Sequence, residues 1–203
     1  MNTTNIFVEL VVVGFHTLIW IGVLVLAFVP GYRNLDLEKV LTVNLALPIL
    51  AMAYILGILV DRITDSLFFA HDLKLRQIEH KQADLPSFLS MRYYILYKSN
   101  DIYAQLEYSR SRLRIARASV LNFAMTTLAF LLFVWLQFGR QLPLQNLIAV
   151  SLIGLAIGLL LTLASYRSWT GLIKSYSVSV LRAYTVLHDE ELKGEKKEKP
   201  KRA

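Results

Sequence analysis

Four apolar runs, at 6–29, 40–60, 119–138 and 144–166, decide what this chain can fold into. Each is close to or above the roughly 20 helical residues needed to cross a hydrocarbon core of about 30 Å. Inside hydrocarbon a segment must satisfy its own backbone hydrogen bonds, and single runs of this length do so as α-helices. Composition agrees: hydrophobic residues make up 55% of the 203-residue chain, and the mean hydropathy is +0.47. The expected fold class is therefore all-α: a polytopic membrane protein with four transmembrane helices, several of them extended into a cytoplasmic helical layer.

In chain order, residues 1–60 form a first transmembrane hairpin and 119–166 a second. Pro30-Gly31 closes the first run. A cleaved signal peptide is the lesser reading of that run, because residues 1–7 carry no Lys or Arg and no small-x-small site ends it. Pro48 sits inside the second run, where a membrane helix tolerates a kink. No breaker follows Val60, so the helix should continue to about Gln82. Asp84-Leu85-Pro86-Ser87 reads as a turn with Ser87 as N-cap, opening a short helix over 88–98. From Asp101 no Pro or Gly occurs until Gly139, so one long helix should lead into the third span. Beyond Tyr166 the helical pattern persists through 167–188, and 189–203 reads as a disordered charged tail.

The 22 Lys and Arg residues fix an orientation. Only Arg33, Lys39 and Arg140 fall in the loops after the first and third runs; all others lie in 61–118 and 167–203. The positive-inside rule places the N-terminus, 61–118 and the C-terminus in the cytoplasm, with a plasma or bacterial inner membrane as the expected location.

The segment 61–118 also carries the most patterned charge. At 100° per residue, Asp61, Asp65, Asp72 and Glu79 fall within about 40° on the helix leaving the second run. Arg110, Arg114 and Arg117 fall within about 60° on the helix entering the third, beside Tyr103 and Glu107. The two helices are antiparallel, so Asp61 should lie level with Arg117, Asp65 with Arg114, and Asp72 with Glu107 and Arg110. Basic residues near a membrane also bind anionic lipid. Lipid does not account for an acidic stripe at the same depth, so interhelical pairs are expected.

Within the runs, Glu9 and His16 share one helix face with Trp20. Intramembrane ionisable groups can mark an ion or proton path. The plainer reading puts Glu9 at headgroup level and gives His16 an interhelical hydrogen bond. In the fourth run Ser151, Gly154 and Gly158 lie on a small-residue face whose G-x-x-x-G spacing suits tight helix packing, within a subunit or between subunits.

Enzyme chemistry finds little support. There is no cysteine, no G-x-S-x-G, no Walker loop and no H-E-x-x-H. His71 and His80 are nine apart, about 180° around a helix, which argues against a shared metal. No cofactor is implied. The tyrosines among basic residues at 93–108 fit a helical core and membrane anchors better than nucleic-acid stacking. The expected function is that of a non-enzymatic integral membrane protein. Its cytoplasmic helical layer would mediate homo-oligomerisation or bind a cytoplasmic protein partner, in a signalling or scaffold role, and its spans would face the lipid bilayer. The alternative is an oligomeric ion channel or pore gated through those helices, with Glu9 and His16, or Asp61 and Asp65, along its path.

Overall fold

The structure, a computed structural model, describes the backbone of residues 3–29, 43–79 and 85–198, with side chains over 6–29, 45–76 and 85–193. The described residues form five α-helices and no strand: α1 Thr3–Phe28, α2 Val43–Glu79, α3 Phe88–Lys98, α4 Asn100–Phe138 and α5 Leu144–Glu198. Four contain segments long and apolar enough to cross a membrane, within Ile6–Phe28, Leu45–Arg76, Asn100–Phe138 and Leu144–Lys193. The expected continuation of α2 ends its described part at Glu79, and Asp84 lies outside the described residues. Pro48 is accommodated inside α2.

Ser87 does cap α3, accepting from Ser90 N at 3.2 Å. Ser99 then serves both neighbours. Its N–H donates to Ile95 O at 2.8 Å to close α3, and its carbonyl accepts from Tyr103 N at 3.1 Å to open α4. One extended residue, at φ −151°, is thus enough to turn the chain between two helices.

At the other end the structure departs from the expected disordered tail at 189–203, because α5 runs through to Glu198. Glu and Lys, both good helix formers, dominate 189–198 around the single Gly194, and Asp189 precedes Lys193 at the favourable i,i+4 spacing. Charge density alone does not break a helix that is already nucleated. Residues 199–203 lie outside the described part.

By compactness the chain divides into two units. One joins residues from Asn2 to Phe68 with Arg114–Trp169. The other joins Phe69–Leu113 with the chain from Thr170 onward. Helices α2, α4 and α5 each contribute to both.

In the first unit α1 is the central strut. Against α2 it runs antiparallel at very close range. A Cβ added at Gly14 would overlap the Ala53 carbonyl oxygen, and one at Gly57 would overlap that of Leu10. Against α4 it runs parallel, which a nearly constant sequence offset records: 105 at Glu9–Arg114, 105 at Thr17–Asn122 and 110 at Ala27–Gln137. Helix α5 packs on α4 through Gly154 against the Phe130 ring and Gly158 against Thr127. Phe68 and Trp169 meet at 4.8 Å between ring centroids.

In the second unit α3 and α4 form a helical hairpin against which α5 lies. Its buried apolar residues are Met91, Ile95, Leu106, Leu113, Ile173 and Val180, with Tyr176 buried among them. Phe88 meets Tyr176, and Tyr94 meets Tyr184, edge to face.

Candidate functional site: a buried charge cluster on three helices

The first unit holds charged side chains in its interior. Arg117 on α4 is only 4% exposed. Its Nη1 donates to Asp65 Oδ1 at 2.6 Å and its Nη2 to Asp61 Oδ1 at 3.2 Å. One turn earlier, Arg114 Nη1 donates to Glu9 Oε1 on α1 at 3.3 Å. Glu9 is 3% exposed, and a buried carboxylate is favoured by a guanidinium beside it.

Local structure explains the partnership. Asp61 and Asp65 are one helical turn apart and present their carboxylates to the same side of α2. A guanidinium has donors pointing two ways in one plane, so one Arg can bind both acids. Sequence phase assigns Asp65 to Arg114, and the geometry corrects this: Arg117 takes Asp65, and Arg114 turns to Glu9. The reason is α1, which a two-helix construction leaves out. Val13 and Val60 close a buried apolar cluster with Ala118, with Ile115 and Leu121 packed on it. Three helices therefore meet beside the charges.

The remaining expected charge pairs lie in the second unit. Asp72 lies 3.4 Å from Arg76 of its own helix. Arg110 lies 3.6 Å from Glu107, three residues before it on α4. Glu107 also accepts from Arg92 of α3 at 2.5 Å. At i,i+3 and i,i+4 spacing, neighbours on one helix are always within reach. Among the described residues no group of three His, Asp or Glu gathers at metal-binding distance.

Polar groups deeper in the bundle tie α1 to α4. Asn122 is buried; its Nδ2 donates to Val13 O at 3.2 Å, and its Oδ1 accepts from Trp20 Nε1 at 3.1 Å. Thr17 Oγ1 lies 3.1 Å from the same oxygen and 3.0 Å from Val13 O, and its one proton serves either. Farther along, Gln137 Nε2 lies within 3.0 Å of both Leu26 O and Ala27 O, where the last carbonyls of α1 lack helical partners. His16 makes an edge contact with the Phe123 ring, centroids 4.5 Å apart. Glu9 and His16 therefore engage different partners, a guanidinium and an aromatic edge.

Of the small-residue face, Gly154 and Gly158 pack within the chain against α4. Ser151 Oγ is buried without a hydrogen-bond partner. Sequence reading missed Asn122, Gln137 and the Gly14–Gly57 contact. Glycines in both of the first two runs were the available signal for the last, since Gly in a span often marks close backbone approach. That signal is imperfect, because Gly22 has nothing within 4 Å of its would-be Cβ.

What this site can do chemically is hold helices in register. Every acid in it has a guanidinium within hydrogen-bonding distance.

No family model, curated protein or solved structure matches the chain.

Proposed function

We propose that this is a non-enzymatic integral membrane protein whose second unit is a cytoplasmic assembly element, through which copies of the chain associate in a scaffold or signalling role. The observation that carries this reading is the outer face of α3. Leu89, Tyr93, Leu96 and Tyr97 are all exposed and fall on one helix face, while Met91 and Ile95 on the opposite face are fully buried. An 11-residue helix that is apolar on both sides is suited to a second partner. Tyrosine supplies large contact area at low entropic cost, as interface centres require.

Charge distribution supports the cytoplasmic assignment for this unit and for both termini, since nearly all Lys and Arg lie outside the loops that follow the first and third runs. The spans leave much apolar surface uncovered by the chain itself, that of α5 most of all, which supports contact with lipid or with other copies. The cation-entrance reading gains less, because Asp61 and Asp65 are both engaged by Arg117.

Light scattering on the detergent-purified protein tests the proposal. We expect an oligomer, and Tyr93→Ser with Tyr97→Ser should shift it to monomer while leaving helicity intact. A wild type that stays monomeric at every concentration would remove self-assembly. Docking of a cytoplasmic protein would then be tested by proximity labelling from the C-terminus.

A further inference from the structure

The interior of the second unit contains buried donors that no protein acceptor satisfies. Tyr176 is 2% exposed, and its hydroxyl has no hydrogen-bond partner. Arg92 Nε and Arg76 Nε are buried in the same condition. Unmet buried polar groups are rare, because each costs the desolvation of a donor without a bond in return.

The three belong to one neighbourhood. The Tyr176 ring meets Phe88 at 5.8 Å, and the Arg76 guanidinium lies over the other contact of that ring, 5.4 Å from the Phe88 centroid. Arg92, Arg110 and Arg76 act electrostatically on the Tyr176 hydroxyl, with the Glu107 carboxylate acting in the opposite sense. Arg92 is held in place by Glu107 and by the Tyr103 hydroxyl at 3.4 Å.

Charge points the same way. Three guanidinium groups share two carboxylates, Asp72 with Arg76 and Glu107 with Arg92 and Arg110. Among the described residues that is one guanidinium more than carboxylates, with Arg92 14% exposed and Arg76 and Arg110 33% and 40% exposed. An excess of positive charge at a partly buried site favours an anion beside it.

What is missing is therefore an acceptor with several oxygens and negative charge. A water molecule has only two lone pairs for three donors, and it leaves the charge unbalanced. A phosphate group has enough oxygens for all of them and suits arginine geometry. We propose that Arg76, Arg92, Arg110 and Tyr176 form a binding site for a phosphate-bearing anion. Its occupancy would tie α2, α3, α4 and α5 together in this unit. Free inorganic phosphate and a lipid phosphate headgroup offer the same chemistry.

Thermal unfolding of the delipidated full-length chain in an uncharged detergent tests this. One arm adds inorganic phosphate against chloride at matched ionic strength; the other adds phosphatidic acid to the micelles. Stabilisation in the first arm identifies free phosphate, and stabilisation in the second alone identifies a lipid headgroup. Tyr176→Phe removes only the hydroxyl. It should match or exceed the wild type in Tm without phosphate, since an unmet donor is gone, yet bind the anion about ten- to hundredfold more weakly, the usual weight of one hydrogen bond to a charged group. Arg110→Gln, at a 40% exposed side chain, should fold normally and also bind more weakly. The proposal is overturned if neither phosphate source raises Tm beyond chloride, or if both variants gain as much as the wild type.

Discussion

Neutralising the two acids around Arg117 should be worse than the sum of neutralising each. Asp65 is 58% exposed and Asp61 21%, whereas Arg117 is 4% exposed. In Asp65→Asn the guanidinium keeps Asp61, and the pair lost is a largely solvated one, contributing about 0–1 kcal/mol. In Asp61→Asn it keeps Asp65 at 2.6 Å, and about 1 kcal/mol is expected, the weight of one ordinary hydrogen bond. The double variant deprives a buried guanidinium of both carboxylates. Breaking a buried pair costs about 3–5 kcal/mol, so the double should exceed the summed singles by about 1–3 kcal/mol. Adding Arg117→Met removes the stranded charge, and an apolar side chain of similar reach should recover most of the loss. The assay is unfolding of the detergent-solubilised protein by a denaturing surfactant, with helicity as readout. If the double equals the sum of its singles, or if Arg117→Met deepens the defect, Arg117 does not depend on these acids.

Other expectations follow from the same geometry. Gly158→Leu should lower stability markedly, because even a Cβ there overlaps the Thr127 side chain, while exposed Leu159→Ala should do little; equal effects would remove the α4–α5 packing argument. Reporter fusions at Lys81 and Ala203 should read cytoplasmic and insertions at Asn34 and Gln141 external, with an external signal at Lys81 overturning the orientation. Tyr94 donates to Glu191 at 2.6 Å, which pushes its pKa up to about 12. The folded state thus retains a proton the unfolded chain loses near pH 10. This contribution is complete below about pH 10 and fades as pH rises toward 12, so tyrosinate absorbance compared between wild type and Tyr94→Phe should show a late-titrating group.

Legibility of this chain from its sequence divides by range. The α3 start at Ser87 follows from capping chemistry that is local to four residues. The long α4 is readable because no Pro or Gly interrupts 101–138. The facing of acidic and basic stripes can be drawn from helical phase alone. Which arginine each acid takes cannot, since Arg is long enough to reach a full turn either way and a third helix competes for it. The charged end of α5 is helical although its composition suits disorder, because composition measures solubility better than local backbone preference.

The parallel pairing of α1 with α4 is the relation that explains most of what the charges do. Residues of α1 and α4 more than 100 positions apart meet at three levels: Glu9 with Arg114, Val13, Thr17 and Trp20 with Asn122, and the α1 carboxyl end with Gln137. Within lipid there is little hydrophobic force between helices, so register must come from close packing and polar ties. On its α2 side, α1 uses packing, with Gly14 and Gly57 letting backbones touch. On its α4 side it uses ties. A polar residue in a span is expensive only when it lacks a partner, and each of these has one at a defined level. Moving α1 by one turn along α4 would unmake all three levels at once. The Glu9 carboxylate therefore serves as a register pin, and its burial beside Arg114 is the structural consequence.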